Sequence, residues 1–163
     1  MLAISLPLQA KDKEPAKKPA APLVIPVTGT GQSTTTKFGN SYITRSPGGQ
    51  SFTTSQLGSS TVTRDSKGNT WTTSKVGNSY VTRGPGGQQQ TTSKLGNSFI
   101  TRDTKTGSTL TTSPLGNSFQ TRGNSGSSWS TSPLGSSLIT RGSPTSGKKD
   151  EKSTRVIVIP GAR

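Results

Sequence analysis

Apolar residues are few in this chain, and from Lys37 onward they recur at fixed places among serine, threonine and glycine. In order the chain reads KFGNSYITRSPGGQSFTTS, QLGSSTVTRDSKGNTWTTS, KVGNSYVTRGPGGQQQTTS, KLGNSFITRDTKTGSTLTTS, PLGNSFQTRGNSGSSWSTS and the half unit PLGSSLITRG. The period is 19 residues, with one copy of 20 that holds an extra residue near Thr106. A fixed period of this length identifies a repeat architecture before any single motif is weighed.

Each unit has two arms rich in β-branched and aromatic residues and bounded by turn residues, so each arm predicts a strand. The first arm runs Gly-Asn/Ser-Ser-x-x-Thr-Arg, and the second ends in Thr-Ser. The segments between them end in Gly49, Gly68, Gly87, Gly107 and Gly126. That pattern fits a type I turn followed by a left-handed residue, a conformation glycine adopts without a Cβ clash. The other connection places Gly39, Gly58, Gly77, Gly96, Gly116 or Gly135 before Asn or Ser, a second sharp turn.

The predicted fold is therefore all-β: tandem antiparallel hairpins over residues 33–142, in a meander free to curl or wrap. A β-solenoid with one repeat per coil is the alternative. Four columns are candidates for the core. They start at Phe38, Tyr42, Ile43 and Phe52, and each recurs once per repeat. Tyr42 and Ile43 are adjacent, so they point to opposite faces of a strand, and the sheet is lightly apolar on both sides. No unit can bury its own face, and stacked neighbours must supply the burial.

The flanks read differently. Residues 1–10 (MLAISLPLQA) resemble the end of a signal peptide's apolar stretch with a small-residue cleavage site, although a basic start is missing. Residues 11–32 are a Pro/Ala/Lys linker holding a β-prone run at 23–27. Residues 143–154 form a polar linker, and 155–163 carry the most β-prone run, RVIVI. The tails, residues 1–20 and 143–154, are expected to be disordered. The two β-prone runs are expected to cap the array's ends, with Pro26 and Pro160 at edge positions.

Composition narrows function by exclusion. Only 24% of the 163 residues are apolar, too few for a conventional thick core. Neither Cys nor His occurs, which removes disulfides, Cys/His metal sites, thiol nucleophiles and histidine acid–base chemistry. No cofactor is expected and the chain does not read as an enzyme. The net charge of +14 favours anionic polymers or surfaces. No run reaches the ~18 apolar residues of a membrane helix.

The alternation of Pro114-Leu115-Gly116-Asn117-Ser118-Phe119 with Arg102-Asp103-Thr104-Lys105-Thr106-Gly107 at about twenty residues resembles the YD-type, RHS-like repeats of bacterial wall-associated and toxin-delivery shells. The resemblance covers residues 37–142. The family's Tyr-Asp pair is missing, and Thr-Arg stands near its place. The resemblance implies an antiparallel hairpin array in an extracellular protein and assigns no functional residue.

The column Arg45, Arg64, Arg83, Arg102, Arg122 and Arg141 is the candidate binding site. If each unit contributes two strands, successive members lie about 10 Å apart. Such a cation ladder can fork onto phosphate, sulfate or carboxylate. The competing reading is structural: arginine stems lying over Tyr42, Tyr80 or Phe99. The threonines read as a flat hydroxyl array or simply as good strand formers on a solvated face. Asp65 and Asp103 read as turn residues rather than a catalytic pair. The expected protein is a non-catalytic secreted or cell-envelope module that binds an anionic polysaccharide or other cell-surface polymer. A self-assembling surface protein and a nucleic-acid binder, for which Tyr42, Tyr80, Phe99 and Trp71 offer stacking faces, are the alternatives.

Overall fold

The computed structural model describes residues 22–27, 31–143 and 154–159. The stretch 1–10, expected as a leader, and most of both linkers lie outside the described residues. The strands are β1 (Leu23–Val27), β2 (Gly31–Phe38), β3 (Ser41–Arg45), β4 (Ser51–Leu57), β5 (Ser60–Asp65), β6 (Thr70–Val76), β7 (Ser79–Arg83), β8 (Gln89–Leu95), β9 (Ser98–Asp103), β10 (Thr109–Leu115), β11 (Ser118–Gly123), β12 (Ser128–Leu134), β13 (Ser137–Ser143) and β14 (Arg155–Ile159).

Strands β2 to β13 form a hairpin meander that closes into a 12-stranded barrel, with β13 antiparallel to β2. The solenoid alternative does not occur. Closure depends on where the repeats begin. Thr34-Thr35-Thr36 of β2 occupies the place of the Thr-Thr-Ser second arm, one strand earlier than the repeat pattern shows. The terminal half unit, β13, therefore finds its missing partner at the other end of the barrel. Across this seam Thr36 and Ser137 share a hydrogen bond of 3.0 Å, equivalent to the 2.8 Å bond between Ser41 and Ser55 within the meander.

Two kinds of turn alternate, one at each rim. At the tight-turn rim only Gly39 and Asn40 separate β2 from β3, and Gly39 has φ +58°. Glycine first in a two-residue loop is the signature of a type II′ hairpin, whose twist matches the flanking strands. At the long-turn rim Gly68 has φ +86°, the left-handed residue expected there.

Side chains alternate between lumen and outer wall. The lumen has three layers. Near the long-turn rim stand Phe52, Trp71, Gln90, Leu110 and Trp129, all buried. The middle layer is a ring of buried threonines hydrogen-bonded in pairs: Thr35–Thr44, Thr54–Thr63, Thr73–Thr82, Thr92–Thr101, Thr112–Thr121 and Thr131–Thr140, at 2.8–3.0 Å. Toward the tight-turn rim come Tyr42, Tyr80, Phe119 and Leu138, partly buried.

A barrel of twelve tilted strands is roughly 24 Å across, too wide for its own side chains to fill. The filling is the ribbon β1–β14. Leu23 pairs with Ile159, Val24 with Val158, Ile25 with Ile157, Pro26 with Val156 and Val27 with Arg155. Leu23, Ile25, Ile157 and Ile159 pack on Leu110 and Trp129, while Val24, Val156 and Val158 pack on Phe52 and Trp71. The two terminal runs thus form the barrel's core instead of capping an array's ends. Both runs are strands, and hydrophobic burial orders them within the lumen. Pro26 sits in a strand with no N–H to leave unpaired, which suits a two-stranded ribbon inside an apolar lumen.

The core columns divide. The Phe52 column is the buried one, and the Tyr42 column faces the lumen. The Ile43 column lies half-buried on the outer wall. The Phe38 column, expected in the core, is exposed at the tight-turn rim: Phe38, Leu57, Val76, Leu95, Leu115 and Leu134 are 56–75% exposed.

Candidate functional site

The outer wall carries Ser, Thr and Arg on either side of the half-buried Ile43 column. Ser41–Ser55, Ser60–Ser74, Ser79–Ser93, Ser98–Ser113 and Ser118–Ser132 are hydrogen-bonded pairs at 2.7–2.9 Å. They tie each first arm to the following second arm, while the lumen threonines tie the strands across the tight turns. The Thr-Arg step of every repeat thus has two roles. Its Thr enters the inner ring, and its Arg, one residue on, points outward.

All six candidate arginines are exposed. They occupy β3, β5, β7, β9, β11 and β13, every second strand of the barrel, near the long-turn rim. Successive members are therefore about 10 Å apart along the wall. Closure bends the row into a belt, so a straight ligand reaches only one arc, such as Arg64, Arg83 and Arg102. The strand neighbours facing each guanidinium are Ser, Thr or Gln: Arg64 lies opposite Thr53 and Thr70, and Arg102 opposite Thr91 and Thr109. Arg141 donates from Nε to Gln32 Oε1 at 3.1 Å. Tyr42 and Tyr80 pack against the lumen clusters, on the opposite face from Arg45 and Arg83, so those stems do not lie over them.

The threonines do not make a flat exposed hydroxyl array. Twelve of them are paired in the lumen ring. Thr53, Thr72 and Thr111 are exposed on the wall, interleaved with arginine.

Asp65 and Asp103 act as turn residues. Asp65 Oδ1 accepts from the backbone N–H of Lys67 at 2.9 Å and of Asn69 at 2.8 Å. Asp103 Oδ1 accepts from the N–H of Lys105 and of Thr106, both at 2.9 Å. Burial alone would push the Asp103 carboxyl up, but the amides of Thr106 and Lys105, together with the Gln90 and Thr106 side chains, hold it below its ordinary value.

A cavity of about 580 Å³ opens at the long-turn rim between the wall and the ribbon, lined among others by Trp71, Gln90, Asp103, Lys105, Leu110 and Arg155. Gln90 stands where other repeats carry Phe, Trp or Leu. Its Nε2 donates to Asp103 Oδ2 at 3.4 Å, and its buried Oε1 has no partner. The sequence signal was present, a lone glutamine in an apolar column, but its consequence needed the closed lumen. Arg155 lies over the Trp129 ring at 5.7 Å, a cation–π contact where the ribbon enters.

Among the described residues no cluster of acidic side chains could hold a metal ion, and no helix is long and apolar enough to cross a membrane. Comparison of the chain with family models, with curated proteins and with solved structures finds no match in any of the three.

Proposed function

We infer that this protein is a non-catalytic secreted or cell-envelope module that binds an anionic polymer, glycan or wall material, through one arc of its arginine belt. The observation that carries the reading is the placement of six exposed guanidinium groups on one outer wall, none facing an acid across the sheet. Asp65 and Asp103, the acids nearest the belt among the described residues, are engaged by turn amides. A spacing of about 10 Å suits a polymer with anionic groups at regular intervals better than a compact ligand. Closure of the barrel also leaves β2–β13 without free edges, which weakens the motive for strand-to-strand self-assembly.

The test is retention on an immobilised sulfated polysaccharide across a salt series. Arg64→Ala, Arg83→Ala and Arg102→Ala together should elute earlier and with a shallower salt dependence, because fewer counterions are released on binding. The three Lys replacements should fall between, since charge remains and the bidentate fork is lost. Unchanged elution of the triple Ala variant would remove the belt as the binding surface.

A further inference from the structure

The tight-turn rim has a composition unlike the rest of the surface. Phe38, Leu57, Val76, Leu95, Leu115 and Leu134 stand there, one before each II′ turn, and all six are 56–75% exposed. Single exposed apolar residues are ordinary, but six at equivalent places on one rim form a ring with an interval of about 10 Å. The folded barrel gains nothing by exposing them.

The charges at the same rim are all of one sign. Lys37, Lys75 and Lys94 precede Phe38, Val76 and Leu95 and are exposed. The acids among the described residues, Asp65 and Asp103, sit in turns of the opposite rim. A second copy meeting this rim face to face would set lysine against lysine. An anionic surface meets both the apolar ring and the lysines with complementary chemistry.

The geometry also fixes how deep such a contact goes. Barrel strands of 5–8 residues are shorter than the ~9–11 needed to span a bilayer, and the outer wall carries the arginine belt. The rim can enter an interface, but the wall cannot follow. The belt lies four residues up the strand from the rim, from Ser41 to Arg45, or about 13 Å.

We propose that the tight-turn rim is a membrane-docking surface that seats the barrel upright on an anionic lipid bilayer, with the six apolar tips in the acyl boundary and the three lysines at the headgroups. The arginine belt then lies near the far end of the barrel from the lipid, so this docking does not depend on the polymer-binding reading. The ribbon runs the length of the lumen between the two rims. Its Val27–Arg155 end joins the barrel at the long-turn rim, so its Leu23–Ile159 end points to the tight-turn rim.

The experiment is vesicle co-sedimentation of the full chain, with phosphatidylcholine alone and with phosphatidylcholine doped with phosphatidylglycerol. The wild-type chain should sediment with the anionic vesicles and not with the neutral ones. The variant Leu57→Ser, Leu95→Ser and Leu134→Ser should lose about a hundredfold or more in partition, since three buried side chains are withdrawn from the interface. Its melting temperature should be unchanged, because these sites are exposed in the fold. Lys37→Gln, Lys75→Gln and Lys94→Gln together should weaken binding and make its salt dependence shallower. Polysaccharide retention of the Ser variant should stay as wild type, whereas unchanged retention of the triple Arg→Ala variant would strike the belt and not the rim. Equal sedimentation of the Ser variant, or a wild-type dimer that the Ser variant dissociates without any vesicle binding, would overturn the proposal.

Discussion

Val24 and Val158 lie opposite each other in the β1–β14 ribbon, and both are buried within the barrel lumen. The two segments that flank the repeats in sequence therefore supply its core. Ile157→Ala should lower stability by about 2–5 kcal/mol, the cost of a buried cavity that rigid walls cannot close. Truncation after Ser153 should abolish the cooperative thermal transition. A truncated chain that melts like the full one would show that the repeats close without their filling.

The lumen threonines are coupled in pairs. Thr54→Val should leave the Thr63 hydroxyl without its 2.9 Å partner in a buried site, at a cost of about 1–3 kcal/mol. The double change Thr54→Val with Thr63→Val restores consistency and should recover much of that loss. Denaturant titration of the two single variants and the double gives the coupling, and strictly additive losses would mean the pair does not act as one.

The long turns are stabilised by conformation rather than contact. A Cβ on Gly68 would meet nothing within 4 Å, yet φ is +86°. Gly68→Val should therefore cost about 1–2 kcal/mol through backbone strain alone. An unaltered melting temperature would contradict the turn geometry.

Asp103 makes stability depend on acid. Its carboxyl is held below the ordinary value by the amides and side chains that face it, against the opposing effect of burial. The unfolded chain thus takes up the proton first as pH falls. The stabilisation is complete above the ordinary carboxylate range and disappears as pH drops through the lowered folded value. Asp103→Asn should flatten this part of a stability-against-pH curve, measured by denaturant midpoints. A curve unchanged by the substitution would count against the network.

What could be read from the sequence follows a physical division. Gly68 and Gly39 were legible because a left-handed residue is a local requirement. The arginine column was legible as one face because strands alternate. Phe38 and Phe52 could not be separated by pattern: both are apolar once per repeat, yet one is 75% and the other 1% exposed. Their difference depends on the closed lumen. Closure in turn depends on Thr34-Thr35-Thr36, which stands ahead of the first full repeat with no first arm before it. The pairing of Leu23–Val27 with Arg155–Ile159 is a contact between chain ends, and no local signal specifies it. For the same reason the apolar rim was read as core.

Gln90 offers the sharpest test of how repeat and lumen fit together. Its side chain is 4% exposed and stands where Leu110 stands one repeat later. Its Oε1 is buried without a partner, while its Nε2 supports Asp103. Gln90→Leu removes the orphaned acceptor and returns an apolar side chain to the apolar column, next to Trp71 and the cavity. The stability change should be positive, on the order of 1–3 kcal/mol near neutral pH, because the desolvation of that acceptor exceeds one long hydrogen bond. The same variant removes one of the groups that hold the Asp103 carboxyl low, so the acid loss of stability should move to higher pH. The two effects separate in one experiment, denaturant midpoints measured across pH. A variant less stable than wild type near neutrality would mean that Gln90 is held by polar contacts within the cavity, and its place in the column would then be functional rather than a lapse in the repeat.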